Sequence, residues 1–147
     1  MKIHHVLQAR HLSPITIQFD MTALDAAHLM TEHKIGAVIV VDRHFRPVGI
    51  VSERDITHMV SQKKSAATTA VRDIMSPDLV VGHMDDDVQY IMHVITQKRI
   101  RHIPIVEDGI LRGIISIGDV LKTELKETQV EVRYLRNYIE SEPYHAV

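Results

Sequence analysis

Apolar positions follow two alternating periods along this chain, and the whole alternation occurs twice. In "TALDAAHLMTEHKIGAVIVV" (22–41), Ala23, Ala26, Ala27 and Met30 fall at i, i+3, i+4 and i+7, one face of a helix. "AVIVV" (37–41) then runs short, β-branched and unbroken, as a buried strand does. Shifted by 65 positions, "DVQYIMHVITQKRIRHIPIV" (87–106) repeats the scheme. Val88, Ile91, Met92 and Ile95 keep helical spacing, and "IPIV" (103–106) predicts a strand. "ITIQF" (15–19) and "LVVG" (79–82) predict a short strand before each helix. The turns "DRHFRP" (42–47) and "EDG" (107–109) lead into strands finished by the glycine and β-branched residues of "GIVSERD" (49–55) and "GIISIGD" (113–119). A second helix starts at the serine of each phrase.

The predicted order is strand, helix, strand, strand, helix, twice over. The offset slips from 65 to 64 at the two phrases and is 63 where Ser13-Pro14 meets Ser76-Pro77. Small indels at turns, with agreement elsewhere, mark a duplicated unit; two copies predict a pseudo-twofold pair. The organisation read from this is a first copy with an N-terminal helix over 1–64, a linker over 65–70 within the small polar run "SQKKSAATTA", and a second copy over 71–125. A helical extension occupies 126–147. There Leu121, Leu125, Thr128, Val132, Leu135 and Ile139 alternate steps of four and three, a heptad seam that predicts self-association. The competing reading lays this helix on its own module. The end, "SEPYHAV", is expected to fray.

Composition narrows the chemistry. The net charge is −2 and no basic stripe is present, so nucleic acid and anionic membrane surfaces are not expected as partners. No apolar run is long enough for a membrane span. With no cysteine there is no disulfide, thiolate metal site or thiol nucleophile, and a cytoplasmic location is expected. The eleven histidines include no pair at i, i+3 or i, i+4, so no metal is expected.

Ser52 with Asp55, and Ser116 with Asp119, have capping-box spacing, as does Thr22 with Asp25; Asp87 stands at the matching N-cap in the second copy. Capping alone accounts for these residues and needs no ligand. Other features point further. A carboxylate in the first turn of a helix can accept hydrogen bonds from two vicinal hydroxyls, as in ribose recognition. The phrase glycines allow a backbone or a flat ligand to come close. Arg54 stands where the second copy has Gly118, and Arg101-His102 where the first has Gly36-Ala37. Across a twofold, such differences would gather cations from both copies at one phosphate-sized site. Pro104, inside an apparent strand, has no N–H to give and predicts an unpaired side there.

Together the duplicated unit, the two phrases and "RIRHIPIV" resemble a tandem pair of cystathionine-β-synthase (CBS) domains, a Bateman module, over roughly residues 10 to 125. The resemblance implies an α/β fold of two pseudo-twofold-related β-α-β-β-α motifs packed through their sheets, plus a long C-terminal helix. It implies a regulatory sensor, not an enzyme, holding AMP, ADP/ATP, NAD(H) or S-adenosylmethionine in clefts between the motifs. Homodimerisation and an unidentified regulated protein come with it. Carried over by position, Ser52, Asp55, Ser116 and Asp119 would bind ribose, and Arg54, Arg101 and His102 the phosphates. Thr16, Ile17, Gly36, Ala37, Val38, Val80, Val81, Ile103 and Pro104 would enclose the adenine. The first copy lacks the "RH-P" pattern, which predicts unequal clefts. The alternative is a structural dimerisation module with no ligand.

Overall fold

The computed structural model describes residues 1–8 and 14–141; Ser13 and 142–147, which hold most of the predicted frayed end, lie outside them. Each copy builds a three-stranded sheet. β1 (Thr16–Gln18), β2 (Ala37–Val41) and β3 (Pro47–Ser52) are ordered β1-β2-β3; β4 (Gly82–His83), β5 (His102–Glu107) and β6 (Ile110–Ser116) repeat that order. In both, the first pair is parallel and the second antiparallel. A helix crosses over between the parallel strands, α2 (Ala23–His33) in one copy and α4 (Val88–Lys98) in the other, and another follows each hairpin, α3 (Glu53–Ser61) and α5 (Ile117–Ser141). A six-residue helix, α1 (Ile3–Gln8), begins the chain.

The copies match in detail. α2 ends at Lys34 and α4 at Arg99, both left-handed with φ 54° and 53°. The ladder shifts register at Val40/Val41 and again at Ile105/Val106. β2 coincides with the predicted "AVIVV". β4 overlaps the predicted 79–82 only at Gly82. Its register pairs Gly82 with Ile105, so one more step would set Val81 against Pro104, which has no N–H for the ladder. Leu79, Val80 and Val81 therefore run outside the sheet. Asp87 takes the N-cap backbone position, but its carboxylate pairs with Lys2 Nζ at 2.9 Å instead of capping α4.

Strand alternation divides the interior. Val38 and Val40 of β2 face α2, joining Ile17, Ala26, Met30 and Val51 in one core. Ile39 and Val41 face the opposite way and meet Leu111, with half-buried Ile50 and Ile114, where the two sheets touch. Ile103, Ile105 and Ile115 join Val88, Ile91 and Ile95 in the second core. The sheets thus lie back to back, with helices on the outer faces.

The lead-in segments are exchanged. Ile3 and Val6 of α1, grouped with the first copy by chain order, are fully buried in the second core. Burying each such side chain contributes about 1.5–3 kcal/mol; a helix of this length would not persist alone. Reciprocally, Val71 with half-buried Ile74 and Met75 packs into the first core. The phrase glycines receive these segments. A Cβ on Gly49 would meet Met75 Sδ at 2.5 Å, and one on Gly113 would meet Leu7 Cδ2 at 2.7 Å. The close approach signalled by both glycines is thus made by the chain itself. The predicted linker also packs: Ala66 and Thr69 carbonyls accept from the amides of Leu24 and Ala23 at the start of α2.

Candidate functional site

Three helices begin with the same box. The Ser52 amide and hydroxyl donate to Asp55 Oδ2 at 2.8 and 3.0 Å, and the Asp55 amide returns a bond to Ser52 Oγ at 3.3 Å. Ser116 and Asp119 repeat this at 2.9, 2.8 and 3.2 Å. Thr22 and Asp25 do so at 3.0, 2.8 and 3.1 Å. The amide and hydroxyl of Thr22 hold the Asp25 carboxyl below its ordinary range. Asp55 and Asp119 are both half-buried. The Oδ1 of Asp55 has no hydrogen-bond partner among the described residues.

Beside the Ser52 box lies an open cleft of about 470 Å³ that draws on both copies. The first copy contributes Gly36, Ala37, Ile50, Ser52, Glu53 and Arg54. The second contributes Asp78, Leu79 and Val80 from the segment that misses the ladder, Arg99 to His102 after α4, and Pro104 of β5. Three guanidinium groups and two carboxylates thus line one opening. Arg54, Arg99 and Arg101 are exposed and have no ion-pair partner among the described residues. Neither Val80 nor Val81 has a backbone hydrogen bond among them, so polar main-chain groups border an apolar wall of Val80, Leu79 and Pro104. Such a surface can receive a planar base edge-on.

The expected residues separate into groups. Gly36, Ala37, Ser52, Arg54, Val80, Arg101, His102 and Pro104 come together in this cleft. Asp55 lies behind Ser52, bonded to it. Ile17, Val38 and Ile103 turn their side chains into the two cores, so only their main chain could meet a ligand. Ser116 and Asp119 stand at the pseudo-equivalent helix start, with Ser116 opposite His102 as Ser52 is opposite Ala37. Thr16 lies on β1 opposite Ile39, and Val81 is exposed beyond the cleft lining. Glu53, Asp78 and Arg99 line the cleft without having been singled out. Arg99 carried a signal, since its counterpart Lys34 ends the matching helix. Glu53 and Asp78 carried none, because charged residues at a helix start and after a proline are ordinary.

The profile of the CBS domain matches residues 9–62 and 71–126. The chain belongs to the CBS domain family. It is 36% identical over 126 residues to the mitochondrial CBS domain-containing protein CBSX3 of Arabidopsis thaliana, covering 82% of this chain and 61% of that one. Against two further curated relatives it spans 54% and 34% of their lengths, so it corresponds to part of these proteins. The crystal structure of a CBS-domain protein from Agrobacterium tumefaciens superposes with a TM-score of 0.75 at 32% identity, covering 84% of this chain and 99% of that one. A CBS protein from Pyrobaculum aerophilum in complex with AMP shares the fold, with a TM-score of 0.72 at 24% identity over 81% of this chain and 89% of that one. So does a CBS pair in complex with 5′-methylthioadenosine and S-adenosyl-L-methionine, with a TM-score of 0.75 at 23% identity over 86% and 98%. The two copies are therefore CBS motifs, and no described helix is long and apolar enough to cross a membrane.

Proposed function

We propose that this CBS pair is a regulatory module that binds an adenosine nucleotide in the cleft beside Ser52 and transmits its occupancy to a partner protein. One observation carries the reading: Arg54 of the first motif and Arg99 and Arg101 of the second line an opening that also holds Ser52 and the Val80 main chain, which has no backbone partner among the described residues. Guanidinium forks match phosphate oxygens, and the Oδ1 of Asp55 remains to accept from ribose hydroxyls. Val80, Leu79 and Pro104 would hold the adenine. AMP, ADP/ATP, NAD(H) and S-adenosylmethionine share the adenosine that these groups address. The ligands in the Pyrobaculum complex and in the second complex belong to the same class. A regulatory rather than catalytic role accords with what CBS pairs do elsewhere.

Titration calorimetry and thermal unfolding with each nucleotide test this. At a hundredfold excess over Kd the bound nucleotide would stabilise the fold by about 2.7 kcal/mol. Arg101→Ala and Arg54→Ala remove exposed side chains outside the capping box, so both should lose nucleotide response while unfolding normally without it. No stabilisation by any adenosine compound, or full binding by both variants, overturns the assignment.

A second reading has its own support. The Thr22–Asp25 box has the same geometry and does not line the cleft, so a box needs no ligand to persist. On that reading the pair is an interaction module, and every adenosine compound leaves its unfolding unchanged.

A further inference from the structure

We propose that α5 pairs with α5 of a second copy of this chain in a parallel, two-stranded coiled coil. Val120 is buried and Thr123 half-buried, but from Glu124 to Ile139 every side chain on α5 is exposed. Leu125 is 59% exposed, Val132 48%, Leu135 49% and Ile139 62%. The helix leaves its own module, so its seam has no cover among the described residues. Three features of that seam choose its occupant.

The first is the period. Leu121, Leu125, Thr128, Val132, Leu135 and Ile139 alternate steps of four and three, averaging 3.5, and so hold one line on a supercoiled helix. The other exposed apolar residues, Val130, Tyr134 and Tyr138, advance by four each time and drift around the axis. The second is residue type. In heptad terms Leu125, Val132 and Ile139 occupy a, and Leu121, Thr128 and Leu135 occupy d. Two of the three a residues, Val132 and Ile139, are β-branched and two of the three d residues are leucine, the choice that favours two parallel strands, and Thr128 penalises registers that would face it with leucine.

The third is charge. Lys122, Gln129 and Arg136 flank the seam on its e side, and Glu124, Glu131 and Tyr138 on its g side. A parallel pair sets each g against the partner's following e, which brings Glu131 to Arg136 of the partner copy twice, once on each side. An antiparallel pair would set e against e and g against g, cation to cation and acid to acid. The flanks are complementary to a second copy only in the parallel sense.

The test uses the full chain, with sedimentation equilibrium measured over a wide concentration range. The unchanged protein should dimerise, and Val132→Asp with Leu135→Asp should leave a folded monomer, because both side chains are solvent-exposed in the single chain. Glu131→Lys alone, or Arg136→Glu alone, should weaken the dimer roughly tenfold by turning two attractive pairs repulsive. Combining them should restore it. Mixing the two single variants should yield heterodimers in preference to either homodimer. The chain has no cysteine, so Leu135→Cys supplies one thiol, which should form an intermolecular disulfide readily only if like positions face each other. A monomer at all concentrations overturns the proposal. So does a dimer indifferent to Val132→Asp with Leu135→Asp, which would be held through the CBS motifs. So does a dimer in which the double charge variant is no better than the singles and the thiol does not cross-link.

Discussion

Gly49→Ala and Gly113→Ala make the same chemical change at matching positions of the two motifs, yet they should differ in stability. At Gly49 the added carbon would lie 2.5 Å from Met75 Sδ, 2.9 Å from Met75 Cγ and 2.9 Å from the Ser76 carbonyl oxygen. At Gly113 it would lie 2.7 and 3.0 Å from the two terminal carbons of Leu7. Unstrained carbon contacts are about 3.5–4.0 Å, so both sites are overpacked. Only one can relax cheaply. The Leu7 methyls are the far end of a half-buried side chain. The Ser76 carbonyl accepts from the Ile50 amide at 3.0 Å while the Ser76 amide donates to the Ile50 carbonyl at 2.9 Å, so it cannot retreat without breaking both bonds. Overpacking of this kind costs about 1–3 kcal/mol. The loss of glycine's freedom in the unfolded chain returns roughly 0.4–1 kcal/mol. Gly49→Ala should therefore destabilise by about 1–2 kcal/mol, and Gly113→Ala should fall near neutral.

Urea unfolding followed by circular dichroism, with equal slopes for all variants, reads these differences. Double variants separate the causes. Leu7→Ala should remove the whole coupling with Gly113→Ala, whereas Met75→Ala should remove only part of it with Gly49→Ala, because the carbonyl stays. Equal losses at the two glycines, or a larger loss at Gly113, would refute the claim that the Ser76 backbone is the rigid element.

Thr22→Ala, Ser52→Ala and Ser116→Ala should each cost about 0.5–2 kcal/mol in thermal unfolding, since each removes one cap of the same geometry. Of Thr22→Ala and Ser52→Ala, only the second should also weaken nucleotide binding, as read by calorimetry, because Thr22 does not line the cleft. Stability should fall on acidification. The Asp42 carboxyl is held low by the amide of Arg46 and then that of His44, Asp25 by Thr22, and Asp87 by Lys2. With folded values depressed, the unfolded chain binds more protons in acid, so this stability is present above about pH 4 and disappears as pH falls through the folded values. Asp42→Asn should flatten the acid limb of a urea-midpoint profile against pH, and an unchanged limb would count against those hydrogen bonds.

The strands, helices and caps were legible because each is a local statement. Ala23, Ala26 and Met30 declare a face, "AVIVV" declares a strand, and serine three residues before aspartate declares a box. The exchange of lead-in segments was not legible. Nothing in "MKIHHVLQ" says which of two homologous cores Ile3 and Val6 will enter, since both cores offer β-branched residues. The shortness of β4 was half legible: Pro104 announced a missing donor, but only the register of Gly82 against Ile105 shows that the gap falls at Val81. The charged side of the cleft was legible as an assembly, since Arg54 against Gly118 and Arg101-His102 against Gly36-Ala37 point to a cluster drawn from both copies, but its apolar wall was not. Val80 was grouped by sequence with its own motif, whereas in the fold it shares a lining with Gly36 and Ser52 of the other.

On the proposed reading, that crossing decides where selectivity resides. The capping box occurs at three helix starts with nearly the same distances, so the box itself distinguishes none of them. What differs is the surface each box meets. Thr22 bridges to Ala70 of the linker, which closes that end with protein backbone. Ser52 meets an opening bordered by three guanidinium groups, two of them from the other motif. The paired motifs differ at Gly36-Ala37 against Arg101-His102, and all four residues line this one cleft. Small residues from one motif leave the space, and cations from the other charge it. With Gly-Ala in both motifs the opening would keep the guanidinium groups of Arg54 and Arg99 and lose that of Arg101. On the proposed reading, Arg101→Gly with His102→Ala, which puts the residues of the first motif into the second, should weaken the response to phosphate-bearing nucleotides in calorimetry, since Arg101 is one of three guanidinium groups lining the cleft, and an unchanged response would count against the cleft.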